Sequence, residues 1–413
     1  MSAAEKSTVG IEKIAAYPCS LSLDMAELAR RRGMDPDYPQ RELWVRTRSL
    51  NPLWEDAVTM AVNAARWLVD EEDRERIGLI VVGTESSPDF GKPISTYVQR
   101  YCQIGANCRN FETKHACYGG TAALMMAAHW VVSGYNRGTK ALVIATDQSR
   151  MHLGEPWEYV LGAGSVAMLV STEPQVLELE LEHTGYWTNE VSDTYRPTST
   201  AEVGNADTSL YCYFEALENA YVAFRCQMGE FDFATHFKKS IYHMPFGGMS
   251  ERAHRTLLRL HGRMSSSQMR KHFVEHSLPT LAYTAQCGGT YSGSTFLALM
   301  GLIDSCEDLC PGDRISIFAY GSGSCGEFYS ARIGTRARQV VAGADLQKKL
   351  DARLNIDVAT YEAIEKQRTS YADQSDYCID TSSLDGFYER AYAGRKLLVL
   401  DGVSEYQRNY SLS

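Results

Sequence analysis

Between Trp54 and Val69 the apolar residues Ala57, Val58, Met60, Ala61, Ala64, Ala65 and Leu68 recur at helical spacing, and the apolar run Ile77–Gly83 follows as a short buried strand. The pairing returns downstream. Residues 119–133, rich in Ala, Met and Leu, predict a buried helix that ends at Gly134, and 140–147 (KALVIATD) predict a second central strand. Such alternation implies an α/β fold. A glycine-rich turn at 161–171 (LGAGSVAMLVS) opens another strand, and the second half repeats the device, where a strand at 314–319 leads into YGSGSCGEFYSARI at 320–333. The two turns look like counterparts in two duplicated halves. Between the halves, 182–208 is polar and reads as a loop, either a linker or a cover over a site. The expected organisation is an N-terminal half over 1–175, a loop-rich connection over 176–225 and a C-terminal half over 226–413. Residues 351–383 predict an extended, charged helical run, and 395–402 (RKLLVLDG) a closing strand.

Composition restricts the function. The chain has 413 residues, 44% hydrophobic and 22% charged, as expected of a globular protein with a large core. Lys and Arg number 41 against 51 Asp and Glu, and the net charge of −10 disfavours a nucleic-acid partner. The eleven cysteines are scattered, odd in number and free of CxxC or zinc spacing, which reads as free thiols in a reducing compartment with no bound metal. The N-terminus has no basic segment followed by an apolar run, and no stretch approaches about 18 uninterrupted apolar residues. A cytoplasmic protein that does not span a membrane is expected.

Chemistry concentrates in three places. In KHACYGGTAALMMAAHW, Cys117 stands just before a glycine pair and a helix, where free N–H groups and partial positive charge favour a thiolate and can hold an oxyanion. Most cysteines are simply small buried hydrophobes, but the glycine pair permits close backbone approach at this one. Glu85 lies two residues beyond a strand end in VVGTESSPDF, a position where strands commonly present site residues, and is a candidate general base. His243 in IYHMPFGG follows a short apolar segment and precedes Pro245. A nucleophile, a carboxylate and an imidazole at element ends suit acyl transfer with carbon–carbon bond formation.

These motifs, in order and spacing along nearly the whole chain, resemble the 3-hydroxy-3-methylglutaryl-CoA synthases. Val9–Tyr17 is similar to the opening strand, Val58–Ala65 to the first long helix, VGTES at 82–86 to the glutamate motif and CYGGTAAL at 117–124 to the nucleophile motif. DTYRP at 193–197 resembles a substrate loop, HMPF at 243–246 the histidine motif and YGSGS at 320–324 the late glycine turn. The resemblance implies a thiolase-like fold of five αβαβα layers in two related halves, usually a homodimer. It implies that Cys117 accepts an acetyl group, Glu85 is the general acid/base and His243 positions or protonates the acceptor carbonyl. It further implies an oxyanion hole from the backbone N–H groups of Cys117 and Ser322, support of the substrate by Asp147, Asp193 and Tyr291, and no metal or redox cofactor.

Two departures redirect the substrate. Where many mevalonate-pathway members carry a lysine after the HxPF motif, HMPFGGM places Gly248, and where they read GNxYT this chain reads GGTYS, with Gly289 in place of an asparagine. Both resemble the branch of the family that serves polyketide synthases, whose substrates ride on acyl carrier proteins and whose product is β-branched. A carrier brings its own interface, so affinity need not come from CoA phosphates. The acetyl donor would then sit on carrier phosphopantetheine or on CoA, with donor and acceptor carriers as partners. In ERAHRTLLRLHGR, Arg252, Arg255 and Arg259 share a face if helical, with Ala253, Leu257 and Leu260 on another, a candidate surface for acidic carriers or a phosphopantetheine phosphate. The alternatives are an isoprenoid-pathway synthase using free acetyl-CoA and acetoacetyl-CoA, a ketoacyl-carrier synthase, and a non-catalytic protein of the same fold.

Overall fold

The computed structural model describes residues 8–149, 153–262 and 264–413. Its central sheet has nine strands, in the spatial order Lys239–Tyr242, Arg314–Gly321, Cys325–Ile333, Leu177–Thr188, Gly10–Tyr17, Gly164–Ser171, Lys140–Asp147, Ile77–Gly83 and Arg109–Thr113. On the N-terminal side, 77–83 runs parallel to 140–147, which is antiparallel to 164–171, itself antiparallel to 10–17. On the other side, 239–242 runs parallel to 314–321, which is antiparallel to 325–333, itself antiparallel to 177–188. The connectivity is therefore repeated, and the two glycine turns precede corresponding strands. The halves meet where Gly10 and Ile11 pair with Glu178 and Leu177. A Cβ on Gly10 would lie 1.9 Å from the Leu177 carbonyl oxygen, so only glycine permits this seam.

Alternation along the strands builds the layers. Leu79, Val81, Ala141, Val143, Ile315 and Ile317 face one central core, shared with helices Gly119–Val132 and Ser294–Ser305. Their neighbours Ile80, Val82, Leu142 and Ile144 face the opposite way, against helices Ala57–Leu68 and Ile94–Tyr101. Phe318, Tyr320 and Phe328 face a third core with helices Ala206–Met228 and Gly247–Leu260. With the two halves of the sheet counted as separate layers, helices, half-sheet, paired helices, half-sheet and helices are the five expected layers.

The connecting region differs from its sequence reading. Residues 176–225 are not loop-rich: they hold the twelve-residue strand Leu177–Thr188 and most of the 23-residue helix Ala206–Met228. The alternating LELELE places leucines against the central core on one side and carboxylates on the other, which gives the segment a polar composition although it is a strand. Nor does 226–413 stay with the second half. Strand Leu354–Ile356 pairs with Leu21–Asp24, the Leu400 N–H donates to the Trp54 carbonyl, and Tyr361, Phe387 and Tyr392 pack with Leu21, Leu23 and Trp54. The charged run contains the helix Val358–Tyr371, and the expected closing strand is Leu398–Ser404, which a last strand, Gln407–Leu412, follows and pairs with. No helix among the described residues is long and apolar enough to cross a membrane.

Candidate active site

Backbone contacts gather the site at the strand ends. Strand 77–83 ends at Gly83, and a Cβ there would lie 2.3 Å from the Gly119 carbonyl oxygen; one on Gly120 would lie 2.6 Å from the Ser292 carbonyl oxygen. The glycines thus let the turn bearing Cys117 press against both the Glu85 loop and the Tyr291–Ser292 turn. Ala116 takes a left-handed φ of 43°, which aims the following residue out of the turn. The Cys117 thiol donates to Glu85 Oε1 at 3.4 Å. From the other half, a Cβ on Gly321 would lie 2.4 Å from the His115 carbonyl oxygen and 2.8 Å from Tyr118 N, so the turn holding Ser322 abuts the nucleophile loop. His243 follows strand 239–242 on the neighbouring strand, its N–H donating to the Phe318 carbonyl at 2.6 Å, and its ring Nδ1 is buried without a partner. Phe246 of the same motif packs in one cluster with Cys117, Leu161 and Tyr291.

Asp147 is the anchor beneath Glu85. Its Oδ1 accepts from Thr84 Oγ1 at 3.0 Å, Glu85 N at 2.9 Å and Ser86 Oγ at 2.8 Å, and its Oδ2 accepts from Ser292 N at 3.1 Å and from Ser292 Oγ. Asp193 accepts from Tyr320 at 2.9 Å and from Gly323 N at 2.8 Å, which ties the DTYRP segment to the late glycine turn. Both carboxylates are spent on protein donors, so any support they give a substrate is indirect. The Tyr291 ring lies 4.7 Å below the Arg196 guanidinium, and its hydroxyl is buried without a partner.

Arg196 completes the cluster. Its Nη1 donates to the Glu85 carbonyl at 3.0 Å and lies 3.1 Å from Ser86 Oγ, while Nε lies 3.4 Å from Glu85 Oε2 and Nη2 3.0 Å from Glu202 Oε2. Burial, with the Glu85 charge adding to it, pushes the Cys117 thiol well above its ordinary range. The resting sulfur is therefore a thiol, not the thiolate expected from its place before a helix. Burial raises Glu85 to about 7, against the opposing pull of Arg196 and with Asp147 and Glu202 adding to the rise. Burial lowers His243 to about 4, so at neutral pH its imidazole is uncharged and carries one ring N–H.

Comparison with known proteins identifies the family. The family descriptions "Hydroxymethylglutaryl-coenzyme A synthase N terminal" and "C terminal" match residues 5–175 and 259–412. The polyketide biosynthesis 3-hydroxy-3-methylglutaryl-ACP synthase PksG of Bacillus subtilis is 34% identical, covering 98% of this chain and 99% of its own. The chain belongs to the hydroxymethylglutaryl-CoA synthase family. The solved curacin biosynthetic pathway HMG synthase in complex with acetyl donor-ACP matches this synthase with a TM-score of 0.94 and 34% identity, covering 98% of this chain and 100% of that one. MvaS in complex with 3-hydroxy-3-methylglutaryl coenzyme A matches with a TM-score of 0.89 and 30% identity, covering 99% and 100%. The thiolase-like fold and the carbon–carbon bond-forming enzyme class hold.

The structure brings Glu85, Cys117, Asp147 and Tyr291 of the synthase into one cluster with Arg196 and Glu202, and places His243 and the Ser322 turn on the adjoining strands. Arg252 and Arg259 are exposed on helix 247–260, whereas Arg255 is half-buried and 3.9 Å from Glu251, a residue also paired with Arg270. Leu260, expected on the apolar face, is exposed, and His254 and Leu258 are buried instead. The residues that sequence reading missed are Arg196, Glu202, Ser86 and Ser292. The only signal for Arg196 was its place inside the DTYRP motif.

Proposed function

We propose that this synthase adds an acetyl carbanion to the β-carbonyl of a carrier-bound β-ketoacyl thioester, the condensation of polyketide β-branching. The observation that carries the chemistry is the Cys117 thiol donating to Glu85 Oε1 at 3.4 Å. Cys117 attacks the acetyl thioester, the thiol proton passes to Glu85 and from it to the departing sulfur, and the carrier leaves as a free thiol, giving acetyl-Cys117. The backbone N–H groups of Cys117 and Ser322 hold the oxyanion. Glu85, deprotonated again, removes a methyl proton, and the enolate attacks the β-carbonyl while neutral His243 polarises its oxygen, the resulting alkoxide taking up the proton that Glu85 holds. Water then hydrolyses the Cys117 thioester, releasing the carrier-bound product. Asp147, Asp193 and Tyr291 keep the surrounding loops in register.

Carrier dependence is supported by the likeness to PksG and to the curacin synthase bound to acetyl donor-ACP. The local packing supports it too. A Cβ on Gly289 would lie 2.5 Å from the Pro245 carbonyl oxygen, and one on Gly248 2.7 Å from the Glu42 carbonyl oxygen, so backbone fills the places where the mevalonate-pathway asparagine and lysine would stand. Arg252, Arg255 and Arg259 would receive acidic donor and acceptor carriers. The chain would work in the cytoplasm as a homodimer, for which strand 109–113 offers an open sheet edge.

Intact-protein mass spectrometry tests the reading. Acetyl carrier protein should leave an acetyl adduct that is absent from Cys117→Ala, and a carrier-bound β-ketoacyl acceptor should discharge it. Discharge by free acetoacetyl-CoA with none by a carrier-bound acceptor would instead establish the CoA-using reaction of isoprenoid metabolism.

A further inference from the structure

The two-stranded hairpin of Thr194–Tyr195 and Val203–Gly204 carries Arg196 and Glu202 to Glu85. The two oxygens of Glu85 are thereby distinguished: Oε1 receives the Cys117 thiol and Oε2 faces the guanidinium. Arg196 is also indexed to the Glu85 backbone, because Nη1 donates to the Glu85 carbonyl, and its plane is set by the Tyr291 ring beneath it. Its side chain is 8% exposed and that of Glu202 7%. Nε and Nη2 are buried and make ion contacts without aligned hydrogen bonds, so the two carboxylates compete for one charge.

We infer that Arg196 is a positioning residue for the base, turning one Glu85 oxygen towards the reacting sulfur, and that Glu202 sets how much of its charge Glu85 receives. The inference rests on the assignment of Glu85 as base made above. The charged and titratable groups around Glu85 are Arg196 and Glu202 from the hairpin, Cys117 from its turn, Asp147 through the Glu85 N–H, and Tyr291 beneath Arg196. Loss of the cation should therefore raise the pH at which Glu85 ionises, and loss of Glu202 should lower it. A residue that merely held the loop together would give neither displacement.

The experiment follows wash-in of solvent deuterium into the methyl group of acetyl-Cys117 by mass spectrometry as a function of pH. In Arg196→Gln the midpoint should rise by about one pH unit, with exchange at neutral pH slowed about fivefold. In Glu202→Gln it should fall, and in Arg196→Lys it should stay near wild type with a lower plateau, since Lys keeps the charge but not the fork. Coincident midpoints in wild type, Arg196→Gln and Glu202→Gln would overturn the inference. If Arg196→Gln does not fold, an unshifted Glu202→Gln midpoint does so alone. Exchange that survives in Glu85→Gln overturns the base assignment itself, whereas exchange abolished there with unshifted midpoints elsewhere overturns only the role of Arg196 and Glu202.

Discussion

Replacing Asp147 by Asn should be far from conservative. All five groups around its carboxylate are donors: Thr84 Oγ1, Glu85 N and Ser86 Oγ on one oxygen, Ser292 N and Ser292 Oγ on the other. An amide must turn its NH2 towards one set. The cheaper orientation keeps the carbonyl on the Thr84–Ser86 side, where Ser292 Oγ can rotate to accept but the Ser292 N–H is left facing another donor. One unpaired buried N–H costs about 1–3 kcal/mol, and the remaining bonds lose charge assistance worth about 1 kcal/mol. The neutral side chain recovers part of this by shedding desolvation, which leaves about 1–3 kcal/mol. Urea unfolding should show that loss as a lower midpoint at unchanged slope. Because the same carboxylate fixes the Glu85 N–H, kcat/KM should also fall by roughly 10- to 100-fold. A variant within about 0.5 kcal/mol of wild type, acetylating Cys117 at the normal rate, would refute the anchoring argument.

Gly289→Asn should cost about 1–3 kcal/mol of stability and confer no turnover with free acetoacetyl-CoA, because its Cβ meets the Pro245 carbonyl; thermal unfolding and a coupled assay decide it. Arg252→Glu with Arg259→Glu should raise the carrier KM about tenfold while acetylation of Cys117 by acetyl-CoA stays unchanged; an unmoved carrier KM removes the docking role. His272 Nε2 faces the Ala234 carbonyl and so carries a proton, which makes His272 Nδ1 the acceptor from His254 Nε2 at 2.7 Å and His254 Nδ1 the acceptor from Tyr242. This neutral relay cannot take up a proton unbroken. Burial, then His272 and His276, hold His254 well below its ordinary range, so its contribution is present above about pH 6.5 and is lost as the pH falls towards the folded value. His254→Gln should therefore lose stability less steeply than wild type between about pH 7 and pH 5 in urea titrations, and equal slopes would count against the relay.

The central strands were legible because fully buried strands such as 77–83 and 140–147 are unbroken apolar runs, and the Gly119–Val132 helix because Ala, Met and Leu fill it. Strand 177–188 was hidden by its outward glutamates, and helix 206–228 by a mixture of aromatic and polar residues that only its sheet partners explain. Cys117 and Glu85 were readable from glycine and strand-end context. Arg196 was not, since its partners lie 111 residues upstream at Glu85 and across a hairpin at Glu202. The thiol state of Cys117 was misjudged for a related reason: a helix start argues for a thiolate, but burial and the facing carboxylate come from other segments and outweigh it.

The seam at Gly10 and Leu177 joins both halves into one sheet over one shared core. A molecule built this way has no clamshell to open. Cys117, the proposed nucleophile, cannot be unveiled by parting two lobes around a bulky guest, so the thioester that acylates it must come to it in place. A long, narrow, flexible arm with the reactive group at its tip is the natural shape for such a visitor, and the body that carries the arm can remain entirely outside.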